Sequence, residues 1–112
     1  MDQKKIEKFA SIIQKELGEI ILREIDLPRN SFITITKVIV SPDKRKAKIL
    51  IGVTPSNKTK EILNLLLQEK RHLRSLLAHR LDIKRVPEIY FLEDKGLRVE
   101  ELLQEIDYRS NN

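Results

Sequence analysis

The first quarter of the chain alternates apolar and charged residues with the spacing of an amphipathic helix. Between residues 3 and 25, apolar side chains recur every three or four positions, with Lys, Gln and Glu between them. This spacing places them on one face of an α-helix. The apolar stripe consists of Ile6, Phe9, Ala10, Ile13, Leu17, Ile20 and Ile21. The pattern ends around Asp26-Leu27-Pro28, since a residue that precedes proline is disfavoured in the helical region.

Two extended segments follow this helix. Residues 32–40 (FITITKVIV) are rich in β-branched side chains, and residues 45–54 (RKAKILIGVT) place an apolar side chain at every second position from Ala47 to Val53. Such alternation is typical of strands with one covered face. Between them, Pro42 and Asp43 suit the central positions of a type I turn. The pattern therefore predicts a β-hairpin.

A second helical pattern lacks one turn of its apolar face. The stripe consists of Ile62, Leu63, Leu66 and Leu67, and then of Leu73, Leu76, Leu77 and Leu81. Glu69 and Lys70 occupy the positions at which the stripe should continue. The helical spacing therefore predicts a kink, a break, or two helices that meet at an angle.

The end of the chain completes an α+β pattern. Residues 86–92 read as a third strand with Pro87 near its start, residues 93–96 as a turn, and residues 97–107 as a short amphipathic helix. The order α-β-β-α-kink-α-β predicts a two-layer sandwich of helices on a three-stranded sheet. With 112 residues, we expect one domain over 1–112, with its core at about 3–95.

Composition excludes several classes of protein. The chain has no cysteine, and 35% of its residues are charged, so disulfides and thiolate metal sites are excluded. Its apolar runs are too short to span a bilayer, and its first residues do not read as an export signal. We expect a cytoplasmic protein.

No catalytic or cofactor site can be assembled from the sequence. His72 and His79 lie seven residues apart without a nearby acidic cluster, which makes a poor metal site. The only glycines are Gly18, Gly52 and Gly96, so there is no glycine-rich phosphate loop. We predict no enzyme activity, no cofactor, no metal and no small-molecule substrate.

Positive charge concentrates in two places. The chain carries 22 Lys and Arg against 17 Asp and Glu. One cluster surrounds the hairpin turn, and the other follows the break in the second helical pattern, where Asp82 is the only acid between residues 70 and 85. The candidate RNA contacts are Lys44, Arg45, Lys46, Lys70, Arg71, Arg74, His79, Arg80, Lys84 and Arg85. Such bases favour contact with phosphates; the alternative is an ordinary solvated helix face.

Aromatic residues are absent from both basic clusters. Phe32, Tyr90 and Phe91 lie in predicted strands, where we expect them in the core. Stacking on aromatic rings is the usual way to read single-stranded RNA. We therefore expect recognition through backbone charge and RNA shape, with weak sequence readout.

Three phrases in order resemble the ribosome-binding factor A family over about residues 3–107. ILREIDLPRN resembles its L-x-R-E-I-x-D-P-R segment, and TKVIVSPDKRKAKILIGV resembles its first hairpin. HLRSLLAHRLDIKRVPEIYFLED resembles its F-I-R-S-L-L…L-R-x-V-P-E-L-x-F segment. The resemblance implies a KH-like fold of type II order without a G-x-x-G loop. The family carries Ala-x-Gly at its interhelical kink, whereas this chain has Glu69, Lys70 and Arg71 there.

The resemblance also implies a function. It implies a monomeric, non-catalytic bacterial factor that binds the immature small ribosomal subunit and its rRNA. Such a factor assists late maturation and rRNA processing, especially in the cold, and needs no cofactor. The alternative is an adaptor that docks a protein partner through the predicted C-terminal helix at 97–107.

Overall fold

The predicted order of helices and strands is the order found in the structure, a computed structural model that describes residues 3–96. The elements are α1 (Gln3–Glu24), β1 (Phe32–Val40), β2 (Lys46–Thr54), α2 (Thr59–Gln68), α3 (Lys70–Leu81) and β3 (Glu88–Glu93). The sheet has the order β1-β2-β3, in which β2 is antiparallel to β1 and parallel to β3. These findings confirm the α+β fold. The predicted C-terminal helix at 97–107 lies outside the described residues.

The core lies between the three helices and one face of the sheet. The stripe of α1 packs with Leu66 of α2 and Leu73 of α3 against Ile49 and Ile89 of the central and third strands. These last four side chains are at most 1% exposed. Burial of a leucine or isoleucine stabilises a fold by about 1.5–3 kcal/mol. The aliphatic core therefore holds the helices at fixed positions on the sheet.

A β-bulge corrects the phase of β1. Simple alternation from Ile33 and Ile35 would turn Lys37 toward the helices, but the register with β2 shifts between Ile35 and Lys37. Val38 then lies on the core face instead. The extra residue, Thr36, donates its hydroxyl to an Asp94 carboxylate oxygen at 2.6 Å. The bulge keeps a charged side chain out of the core.

The hairpin turn has the predicted residues at its centre. The Lys44 amide donates to the Ser41 carbonyl at 2.9 Å across Pro42 and Asp43. The Asp43 carboxylate accepts from the Ser41 hydroxyl at 2.7 Å and from the Arg45 amide at 3.0 Å. These bonds lower the pKa of Asp43. The turn thus fixes where the first basic cluster lies.

The predicted break falls at Glu69. Its φ of −96° and ψ of 6° lie outside the helical region, while its carbonyl accepts the first bond of α3, from the Leu73 amide at 2.9 Å. Positive φ angles in the described residues occur at Asn30, Lys44, Asp82 and Gly96. The junction is therefore made without the left-handed residue that a glycine would permit.

The third strand begins two residues later than predicted. Val86 and Pro87 are buried, but their carbonyls accept hydrogen bonds from Arg74 rather than from a strand. The ladder begins at Glu88, whose amide donates to the Arg45 carbonyl at 2.8 Å. Proline has no amide to contribute to a ladder, which explains the later start.

The prediction for Phe32 is wrong. Its side chain is 70% exposed, because Phe32 lies on the opposite side of β1 from Ile33, which packs on the core. Phe91 packs against the core as expected. Tyr90 is half-buried on the sheet face away from the helices. Alternation alone could not show which strand face the helices would cover.

Candidate nucleic-acid interface

Glu88 brings the two basic clusters together. In the sheet register, Glu88 lies beside Lys46, and its amide is bonded to the Arg45 carbonyl. Its carboxylate oxygens lie 3.0 Å from Nζ of Lys70 and 3.3 Å from Nη1 of Arg74. The hairpin turn and the start of α3 therefore meet at one corner of the molecule, although about 25 residues of sequence separate them.

Arg74 holds the loop between α3 and β3. Its Nε donates to the Pro87 carbonyl at 3.2 Å, and its Nη2 donates to the Val86 carbonyl at 2.9 Å. Both residues are buried, and a buried carbonyl without a partner costs about 1–3 kcal/mol. Arg74 therefore positions this loop, and one edge of its guanidinium remains beside Glu88.

Lys70 is turned toward β3. Its side chain is 13% exposed, and its Nζ lies 5.2 Å from the centre of the Tyr90 ring. The carboxylate and the aromatic ring both stabilise the ammonium group in this position and disfavour its extension into solvent. Lys70 therefore contributes positive charge to the corner without presenting a free ammonium group.

Arg80 ties α3 to α1. Its Nη1 lies 2.8 Å from a Glu16 carboxylate oxygen and 2.7 Å from one of Glu19. These bonds raise the pKa of Arg80 and lower the pKa of Glu19. The expectation of unopposed charge is therefore wrong for Arg80, as it is for Lys70 and Arg74. Their acidic partners lie on other elements, and the count of acids between residues 70 and 85 missed them.

The remaining seven candidates have no acidic partner among the described residues. Arg45, Arg71, His79, Lys84 and Arg85 are exposed, and Lys44 and Lys46 are half-buried. Within residues 3–96, no carboxylate lies within 4.0 Å of the side-chain nitrogens of these seven residues. Lys44 instead lies over the Phe9 ring, 4.9 Å from its centre.

Four exposed cations lie on the elements that meet near Glu88, and we call them the basic corner: Arg45, Arg71, Lys84 and Arg85. Arg45 adjoins Glu88 through its carbonyl. Arg71 lies one helical turn before Arg74, and Lys84 and Arg85 lie in the loop that Arg74 holds, directly before Val86. His79 lies two turns further along α3 and lines a different surface depression. The fold thus brings four of the ten candidates to one exposed site.

The Arg80 tie predicts a specific dependence of stability on pH. A carboxyl group with a lowered folded-state pKa stabilises the fold above its unfolded-state pKa, and this contribution is lost as the pH falls through the lowered value. Replacing Glu19 with Gln is therefore expected to reduce the free energy of unfolding at pH 7 and to flatten its decline in acid. Urea unfolding at a series of pH values measures this, with Glu93→Gln as the control; equal acid profiles for both variants would contradict it.

Other binding chemistry is not visible in the described part of the chain. Within residues 3–96, no group of three or more histidine or acidic side chains is placed to hold a metal ion. His72 lies 3.1 Å from a Glu24 carboxylate oxygen. Of the helices in this range, none combines the length and apolar character needed to cross a bilayer.

Solved structures of related proteins share this fold. The crystal structure of ribosome-binding factor A from Thermus thermophilus superposes with a TM-score of 0.69 at 20% identity, covering 81% of this chain and 97% of that one. A homology model of the Thermus thermophilus protein, fitted into a cryo-EM map of a complex with the 30S subunit, gives a TM-score of 0.58 at 21% identity and covers 77% of this chain and 97% of that one.

Sequence comparisons reach beyond the fold. Ribosome-binding factor A of Thermodesulfovibrio yellowstonii is 38% identical over 107 residues, which is 92% of this chain and 91% of that protein. The protein of the same name from Halothermothrix orenii is 34% identical over 111 residues, covering 95% of this chain and 91% of its own length. The sequence model of the ribosome-binding factor A family matches residues 5–106. The chain belongs to the ribosome-binding factor A family.

Proposed function

We propose that this chain is a non-catalytic cytoplasmic assembly factor that binds the immature small ribosomal subunit through its rRNA. Family membership supports the ribosomal target, and the Thermus thermophilus protein has been fitted into a map of a 30S complex. The observation that carries the proposal for this chain is the basic corner, whose four exposed cations lie on the hairpin, α3 and the α3–β3 loop, the elements that meet near Glu88.

The chemistry of the corner suits RNA backbone. Guanidinium groups bind phosphate oxygens in a two-point geometry, and neutralised phosphates release counterions. Lys44 and Lys46 extend the charge, and Lys70 and Arg74 add theirs beside Glu88. Arg80 acts through the position of α3, and His79 lies apart from the corner, at another surface depression. Base stacking has no part in this mode, since the half-buried Tyr90 lies under Lys70 and the exposed Phe32 lies at the other end of β1 from the hairpin turn. Recognition therefore rests on phosphate positions, and so on RNA shape.

Assistance in late maturation and rRNA processing follows from binding alone. A protein that binds one rRNA arrangement better than its competitor shifts the population toward that arrangement. No reaction on the protein and no cofactor is needed. We extend the proposal to growth in the cold. RNA structures exchange more slowly there, so a protein that favours one rRNA arrangement has a larger effect than at higher temperature.

Glu88→Gln tests whether the corner contacts RNA. Removing this carboxylate charge frees Lys70 and Arg74 from their acidic partner, while the bonds from Arg74 to the Val86 and Pro87 carbonyls keep the loop in place. We expect tighter binding to immature subunits, with a log–log salt slope steeper by about 1 for each additional phosphate that the variant neutralises.

Co-sedimentation at several salt concentrations measures both quantities. Glu93→Gln is the matched control, because it removes the same charge from the other end of β3. Unchanged or weaker binding by folded Glu88→Gln protein would argue against the corner as the RNA contact.

A further inference from the structure

The outer edge of β1 faces a groove against α1. Among the described strands, β1 pairs with β2 alone. A cavity of about 330 Å³, lined in part by Gly18, Leu22, Ile33 and Ile35, lies beside the first half of the strand. A second cavity of about 380 Å³ continues toward the hairpin turn. Gln14 lines both cavities, so the two adjoin at its side chain.

The first half of this edge offers backbone hydrogen-bonding groups. The Gln14 side-chain amide donates to the Ile35 carbonyl at 2.9 Å, which shows that this carbonyl points away from β2. Because strand residues alternate in direction, Ile33 also directs its backbone groups outward. Residues 32–35 include no charge, whereas the bulge and Lys37 interrupt the edge beyond them. A bulge and a lysine are common protections of an edge, and this half lacks both.

The groove has room for a backbone and apolar contacts for side chains. Gly18 has no side chain to project from α1 into the groove. A Cβ built there would lie 4.0 Å from Cδ1 of Ile35, so a larger side chain would fill this space. Leu22, on the wall of the groove, and Phe32, at the start of the strand, are each 70% exposed. Large apolar side chains at this exposure beside an open strand edge are features of sites that accept an added strand.

The charges along α1 specify the occupant further. Arg80 forms ion pairs with Glu16 and Glu19, and His72 lies beside Glu24. Lys15 and Arg23 are exposed, with no carboxylate within 4.0 Å of their side-chain nitrogens in the described residues. Contacts with α3 thus pair Glu16 and Glu19 with Arg80 and leave Lys15, which lines the groove, and Arg23 without acidic partners.

We propose that this groove binds an extended, acid-flanked segment of a partner protein, which adds to β1 as a fourth strand and displaces Gln14 from the Ile35 carbonyl. An extended peptide satisfies alternating donors and acceptors, and its acidic flank complements Lys15 and Arg23. An RNA phosphate would meet the outward carbonyls and a mostly apolar lining. This site is separate from the basic corner, so it stands or fails independently of the proposed RNA contact.

NMR titration of the full chain tests the site. The probe is a blocked peptide with two aspartates followed by alternating valine and threonine. We expect saturable shifts at the amides of Ile33 and Ile35, with at least tenfold slower hydrogen exchange there. Gly18→Leu should fill the groove and weaken binding at least tenfold, whereas Lys8→Leu, which adds the same side chain elsewhere on α1, should not.

Four outcomes would overturn the proposal. The first is that the peptide causes no shift at the amides of Ile33 and Ile35. The second is that a peptide N-methylated at alternate amides binds as tightly as the unmodified peptide. The third is that a uridine decanucleotide causes equal shifts at Ile33 and Ile35, which would indicate an RNA surface. The fourth is the same shifts on raising the protein concentration alone, which would indicate that a second copy of this chain pairs with the edge. If Gly18→Leu unfolds, Leu22→Asp at an exposed position supplies the second variant, with the same loss of affinity expected.

Discussion

Reversing the charge of Arg71, Lys84 and Arg85 together to Glu is expected to weaken binding to immature small subunits by at least about 30- to 100-fold at 0.2 M salt. The three cations are exposed and lack acidic partners within residues 3–96. Losing three phosphate contacts lowers the slope of log affinity against log salt by about 2–3. If the two proteins bind equally at 1 M salt, this difference in slope becomes roughly this factor in affinity at 0.2 M salt. Arg74, which holds the loop, is left intact, so the fold should be retained.

Co-sedimentation across a salt series measures the affinity and its slope. The matched control reverses Arg29, Lys60 and Lys95, which are also exposed but lie outside the basic corner. It carries the same change in net charge, so it separates location from overall charge. Equal losses for the two triple variants would mean that general basicity, and not this surface, drives binding.

Leu73→Ala is expected to lower the free energy of unfolding by about 2–5 kcal/mol. Leu73 is fully buried and lies in the first turn of α3, and its amide bonds to the Glu69 carbonyl at the break. Truncation leaves a cavity where α3 joins the core, so the loss includes both the transfer energy and the cavity.

Urea unfolding measures this loss. Leu67→Ala is the control, because Leu67 is 45% exposed and belongs to the same apolar stripe in the sequence. We expect it to cost less than about 1 kcal/mol. Similar costs for both variants would mean that the helix after the break does not depend on the core for its position.

The main elements could be predicted because they depend on local patterns. The stripe of α1 and the alternation in β2 each report a face, and the charged pair Glu69 and Lys70 reports the missing turn of apolar residues. These signals lie within a few residues of the feature that they predict. The resemblance to a known family implied a KH-like fold of type II order, which no single local pattern specifies.

The site was harder to predict because its charges depend on distant partners. Arg80 binds acids 61 and 64 residues away, and Glu88 joins two clusters that are separate in the sequence. The bulge at Thr36 changes which side chains of β1 face the helices beyond Ile35, and Phe32 lies on the strand face opposite Ile33. Each of these outcomes requires the tertiary arrangement, and no local pattern contains it.

Crosslinking from the basic corner tests whether this surface lies against rRNA. A photoreactive amino acid replaces Arg85 in one variant and Lys60, exposed on α2, in another; each is bound to immature small subunits, irradiated, and analysed by sequencing of attached RNA. We expect strong rRNA crosslinks at defined nucleotides from position 85 and few from position 60. Protein crosslinks alone from position 85, or equal RNA yields from both positions, would contradict it.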